Sequence, residues 1–345
     1  MFDRLTGNKR AKDLLTRMLQ AGRVPGALIF AGIDGVGKKL FAIEVAKALN
    51  CLQPKDAEAC DHCAACVRIE RFKLSSSSKS EDNKSIVWSE HPDVGLLRAD
   101  NRNFKVDQIR ELEAEAHFRP YEGKRRTFLL DEADKLNESS SNALLKTLEE
   151  MPATSHLFLI TSRHDALLPT IRSRCQTIRF APLSADEIEK YLLQNKKRSP
   201  QDARAVAALA GGSLASAEVM NIDEYRTRRS ATIELLGALA GTGSRAPLLR
   251  AAEEWSDPKR KDEYEASLGV LEMLARDVWL LSLDPASTII TNADLREQLL
   301  KIAARVSSRQ IANWLARIEN TRRELGININ RRIATDALFL GMANA

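Results

Sequence analysis

The sequence predicts an α/β protein in which a nucleotide-loop core with a parallel sheet is followed by helical domains alone. Three observations predict it. A short apolar run, GALIFAG (Gly26–Gly32), leads into the glycine loop GIDGVGKK (Gly32–Lys39) and then into a helically spaced segment. Strand and helix patterns then alternate as far as Leu183, the order of a parallel sheet covered by helices on both faces. Beyond Ser184 only helical patterns occur, punctuated by Gly211–Gly212 and by GTGSRAP at Gly241–Pro247.

Each element has its own reason. GALIFAG is apolar throughout and ends in glycine, as a buried strand does, and KLFAIEVAKALN after the loop has helical spacing. DVGLLRA reads as a second strand and VDQIRELEAEAHF (Val106–Phe118) as an amphipathic helix. RTFLLDEAD is a buried strand ending in acids, and SSSNALLKTLEE is a helix expected to be capped by its serines. HLFLITS (His156–Ser162) is another buried strand and QTIRFAPL a shorter one. The Ser-rich stretch, residues 72–89, buries too little apolar surface to offset its ordering entropy and is expected to be a mobile loop. The runs KRR (Lys124–Arg126) and KKR (Lys196–Arg198) read as solvated charge, and His91 in HPDV as a turn-shaping residue.

A chain of 345 residues is too long for one core, so two or three domains are expected. Its 52 basic and 47 acidic residues leave a net charge of only +5, which does not mark a nucleic-acid binder. No stretch is apolar for long enough to span a bilayer, and MFDRLTGNKR has no apolar signal core, so a cytoplasmic protein with no membrane partner is expected.

Two motifs and a cysteine cluster carry chemistry. The loop fits the pattern G-x-x-x-x-G-K at Gly32, Gly37 and Lys38, where backbone N–H groups surround phosphates and the lysine adds a point charge. The next position should hold a hydroxyl for Mg²⁺, and it holds Lys39. In LLDEAD, Asp131 is placed to hold Mg²⁺ through water and Glu132 to polarise an attacking water. Cys51, Cys60, Cys63 and Cys66 follow the spacing C-x8-C-x2-C-x2-C, which suits a structural Zn²⁺ with a closed set of thiolates. Ser173-Arg174-Cys175, taken alone, reads as a surface arginine beside a buried cysteine.

Together the glycine loop, the four cysteines, HPDV, LLDEAD, NALLKTLEEMP, FLITS and SRC resemble, in that order, the bacterial DNA polymerase III clamp-loader subunits of the AAA+ class. The family has an ATP-hydrolysing gamma/tau branch and a delta prime branch. GININRRIATDALFL (Gly326–Leu340) resembles the end of delta prime, where Asn-x-Asn opens a final helix. The resemblance implies an AAA+ core over 1–183, a helical lid over 184–225 and an oligomerising helical collar over 226–345. It implies gamma/tau and delta subunits as partners, and through the complex the sliding clamp and primer-template DNA. The nucleotide-binding set is then Gly32, Gly35, Gly37, Lys38, Lys39, Asp131, Glu132, Thr161 and Ser162, and Arg174 acts in trans on a neighbour's ATP.

Two departures point away from hydrolysis. Lys39 removes the metal-binding hydroxyl. In GGSLAS (Gly211–Ser216), Ala215 stands where active members resemble G-S-x-R and carry the arginine that senses the γ-phosphate. ATP and Mg²⁺ are therefore expected to bind weakly or not at all. The expected function is that of a non-hydrolysing delta prime-like stator, with an active gamma/tau-type ATPase as the alternative and a stand-alone DNA-binding AAA+ protein a third.

Overall fold

The computed structural model describes residues 1–72, 85–99, 103–196, 198–241, 246–257, 263–325 and 330–344. The chain divides into two compact units, Met1–Val219 and Met220–Ala345.

In the first unit, helix α1 (Lys9–Gln20) precedes strand β1 (Ala27–Ala31), the glycine loop and helix α2 (Lys38–Asn50). The cysteine segment carries α3 (Ala64–Glu70) and leads to β2 (Ile86–Trp88) and β3 (Val94–Leu97). Then come α4 (Val106–Ala116), β4 (Arg126–Leu130), α5 (Glu138–Glu150), β5 (Ser155–Thr161), α6 (Pro169–Arg172) and β6 (Gln176–Arg179). The sheet order is β2-β3-β4-β5-β1-β6, parallel except for β2 against β3.

Alternation along β1 explains the layers. Leu28 and Phe30 join Leu15 of α1 and Phe41, Ala42 and Val45 of α2 in one core. Ile29 turns to the other face and joins Ile109 and Leu112 of α4 and Leu144 of α5. Burying a Leu or Phe of this kind contributes roughly 1.5–3 kcal/mol, so the apolar strand runs are what seat the loop.

Three sequence expectations need correction here. Residues 86–88, assigned to the Ser-rich loop, form β2, because Ile86 is buried and Trp88 stacks edge-on to Phe128. Most of that stretch, residues 73–84, lies outside the described residues. Arg126, read as solvated charge, is fully buried. Its guanidinium lies 5.1 Å from the Trp88 ring and 5.0 Å from Tyr121, and it bonds Glu115 at 2.9 Å. Helix α5 is capped by Asn137, whose side chain accepts the Ser140 N–H at 2.9 Å, and the serines lie within its first turn.

The first unit closes with α7 (Ala185–Asn195), α8 (Pro200–Leu209) and α9 (Leu214–Val219). The second unit holds α10 (Ile222–Leu239), α11 (Ala246–Trp255), α12 (Tyr264–Leu283), α13 (Arg296–Ala303), α14 (Ser308–Leu325) and α15 (Arg331–Ala343). Residue 225, the expected end of the lid, falls inside α10. Asn221 caps that helix by accepting the Asp223 N–H at 3.1 Å, so the break in the chain comes before it. Asn330 opens α15 by accepting the Arg332 N–H at 2.9 Å. Asn328, the other half of that pair, lies outside the described residues. Among the described residues, no helix is long and apolar enough to cross a membrane.

Candidate functional site

The glycine loop sits at the carboxyl end of β1, and two of its glycines are set by what passes close to them. A Cβ on Gly32 would meet the Phe180 carbonyl oxygen at 2.5 Å. Gly35, at φ +77°, faces the segment leading into α9, where a Cβ would clash with Ser213 Oγ. The start of α9 rests directly on the loop: the Leu214 and Ala215 N–H groups donate to the Gly35 carbonyl at 3.0 and 3.2 Å.

Lys38 is buried and donates to the Gly32 and Ile33 carbonyls at 2.6 and 2.7 Å. Burial pushes its ammonium below the ordinary lysine value, partly offset by Asp34 at 3.5 Å. Lys39 reaches across to β4, with its Nζ 3.0 Å from Asp131 Oδ2. Arg98, at the end of β3, brings its Nε to 3.7 Å from the same oxygen. The carboxylate expected to hold Mg²⁺ therefore holds an ammonium, with a guanidinium beside it. These residues do not fit a divalent cation, because one would have to displace Lys39 against the repulsion of both cations.

The expected nucleotide-binding residues divide. Gly35, Gly37, Lys38, Lys39 and Asp131 line one cavity of about 320 Å³, together with Leu214 and Ala215 of α9. Gly32 and Ser162 line a neighbouring groove of about 940 Å³ with Arg163, His164 and Arg179. Glu132 has a left-handed backbone (φ 57°), is half-exposed, and pairs with Lys135 at 2.8 Å. Thr161 is fully buried and donates to Asp134 Oδ1 at 2.9 Å. Asp134 also accepts both the Nε and Nη2 of Arg163, at 3.1 and 3.0 Å. Burial raises the Asp134 carboxyl, but the bonds from Thr161 and Arg163 outweigh it and hold the group below the ordinary aspartate value. Sequence reasoning missed Asp134 as the hub that fixes the end of β5, although it lies within LLDEAD. It also missed Arg98, for which the sequence carries no signal: only the pairing of β3 with β4 brings it to Asp131.

Arg174 lies before β6, the strand at one edge of the sheet. Its Nη1 donates to the Thr170 carbonyl at 3.1 Å and its Nη2 lies 2.5 Å from Glu149 Oε1. The side chain is 39% exposed, so a surface ion pair worth at most about 1 kcal/mol holds it. Cys175 beside it is buried, and burial pushes its thiol up to about 12.

The four cysteines converge. Their sulfurs all lie within 4.8 Å of one another, with Cys51 to Cys63 at 3.9 Å and Cys60 to Cys66 at 4.0 Å. Four thiolates around one ion at about 2.3 Å would stand about 3.8 Å apart, so this donor set fits a tetrahedral metal such as zinc. The Cys60 and Cys63 N–H groups point at sulfur, at 3.4 Å to Cys51 and 3.3 Å to Cys60. His62 turns back to the Cys60 carbonyl at 2.6 Å, outside the set. A charge network centred on the buried Lys47 and Glu44 ties this insert to α2: Lys47 contacts Glu44 at 3.2 Å and also Asp61, and Arg4 bridges Glu44 and Glu70.

A glycine loop after the interior strand β1, acids closing β4, and helix α9 laid on the loop define an AAA+ core. The family described as "DNA polymerase III, delta subunit" matches residues 7–184. DNA polymerase III subunit delta' of Bacillus subtilis is 28% identical over 322 residues, covering 93% of this chain and 92% of that protein. The delta' subunit of Pseudomonas aeruginosa is 28% identical over 328 residues, 92% of each chain. The tau subunit of Escherichia coli is 26% identical over 98% of this chain, which spans only 53% of tau. The chain belongs to the DNA polymerase III delta-subunit family, as a clamp-loader subunit of the delta prime branch.

Proposed function

We propose that this chain is the non-hydrolysing stator of its clamp loader and that it contributes Arg174 to the ATP site of a neighbouring subunit. The observation that carries the reading is the Lys39 ammonium on Asp131. A hydrolytic site stabilises the charge that develops on the transferring phosphate, each such donor being worth about a hundredfold to a thousandfold in rate. Here the metal position is taken by a lysine, the Glu132 carboxylate is paired with Lys135, and Ala215 offers no cation. Nucleotide is held weakly and is not turned over.

The reading extends to the whole chain. Zn²⁺ is the metal of Cys51, Cys60, Cys63 and Cys66, and its role is structural. The core ends near Leu183, α7 to α9 form the lid, and the helices of the second unit form the oligomerising collar. The gamma/tau and delta subunits are the direct partners. The sliding clamp and primer-template DNA are met through the complex, in the cytoplasm.

Steady-state phosphate release from the purified chain tests it. Release stays at the level of a no-protein control. Sustained turnover that Glu132→Gln abolishes would refute the stator reading and favour a gamma/tau-type motor.

A further inference from the structure

Lys39 leaves more than a missing hydroxyl. We infer that the loop accepts the diphosphate of a nucleotide without a divalent cation, with the Lys39 ammonium in the place of the metal. This rests on the reading of the loop as a degenerate, non-hydrolysing nucleotide site.

The charges around the cavity carry the inference. Helix α2 opens on Lys38 and Lys39 with no acid in its first turn, so two side-chain cations add to the positive end of the helix. Every carboxylate facing the cavity already has a cation or a donor. Asp131 has Lys39 at 3.0 Å and Arg98 at 3.7 Å. Asp34 on the loop has Lys38 at 3.5 Å and is otherwise exposed to water. Glu218 on the lid accepts from Tyr191 at 2.6 Å and pairs with Lys196 at 3.2 Å. Among the described residues lining the cavity, no carboxylate is left over to recruit a metal.

The cavity of about 320 Å³ has room for a phosphate chain. In a metal-dependent loop the phosphates and the strand-end aspartate are both anionic, and Mg²⁺ between them relieves the repulsion. Here the ammonium sits between them. It carries one charge rather than two, so binding is weak, but adding metal brings nothing.

Calorimetric titration of the full chain with ADP, in Mg²⁺ or in EDTA, tests this. The two dissociation constants agree within about twofold, and Lys39→Thr, which frees Asp131, binds more tightly in Mg²⁺ by about tenfold or more. Asp131→Asn supplies a second variant: it releases the ammonium from its partner, so ADP binding in EDTA is at least as tight as in the wild type. Circular dichroism establishes that each variant is folded. Wild-type binding that is about tenfold tighter in Mg²⁺ overturns the inference. So does the absence of any ADP binding in EDTA, or loss of binding in Asp131→Asn. Sustained ATP turnover by the wild-type chain would instead sink the stator reading, whereas Mg²⁺-dependent ADP binding without turnover sinks this inference alone.

Discussion

At the scale of single residues, Lys39 and Asp131 form a contact that decides the chemistry of the loop. A threonine at position 39 would return a hydroxyl and release the aspartate. It would not return an arginine at Ala215, and it would leave Glu132 with Lys135 at 2.8 Å. Lys39→Thr alone is therefore expected to leave ATP turnover at background in the isolated chain, measured as steady-state phosphate release. Turnover at the rate of an active motor would mean that the missing hydroxyl was the whole defect. The contact joins residues 92 positions apart. The sequence carries both residues but not their meeting, which depends on the sheet order that leaves only β5 between β1 and β4. In the same way the position of Gly32 is legible as a motif, while its reason, the passage of Phe180 within reach of a Cβ, is not.

At the scale of elements, the four-cysteine insert is the part most open to direct test. It has few large apolar residues and hangs on α2 through Lys47 and Arg4, so a bound metal would supply the order that a small core cannot. Elemental analysis is expected to find one zinc per chain, and Cys60→Ser to lower both the zinc content and the melting temperature. Protein purified reduced and without chelators that holds no zinc would contradict this. Two buried histidines set an expected pH dependence. Burial lowers the His91 imidazole despite Glu122 and Asp93, and burial lowers His156 despite the Pro25 carbonyl. The unfolded chain then binds protons that the folded chain refuses, so stability falls as the pH drops below about 6.5, the ordinary histidine value. Melting temperatures between pH 7.5 and 5.5, roughly one unit either side of that value, should show the decline, and His156→Leu should flatten it. A melting temperature independent of pH over that window would count against both assignments. The long apolar strands and amphipathic helices were legible because their periodicity is set locally. Strand β2 was not, because three residues beside a polar run carry too little pattern. Arg126 was not, because Trp88 and Tyr121, which cover it, come from elsewhere in the chain.

At the scale of the whole molecule, the account gives one chain two unequal roles. On the proposed reading its own glycine loop is closed to hydrolysis by Lys39, which pairs with Asp131, while Arg174 stands at the sheet edge in a weak pair with Glu149. A guanidinium offers a fixed fork of donors that suits phosphate oxygens, and breaking one surface pair to use it costs about 1 kcal/mol or less. An arginine supplied to a neighbour's nucleotide contributes about 10³–10⁵ in rate, far more than that cost. The most direct measurement is DNA-stimulated ATP hydrolysis by the reconstituted clamp loader, with either Lys38→Ala or Arg174→Ala in this chain. The account predicts that Lys38→Ala leaves hydrolysis and clamp loading at the wild-type rate. Arg174→Ala is predicted to assemble with an intact zinc centre yet to lose the contribution of one ATP site, and Arg174→Lys to restore little of it. Wild-type hydrolysis with Arg174→Ala, or a collapse of hydrolysis with Lys38→Ala, would contradict the account.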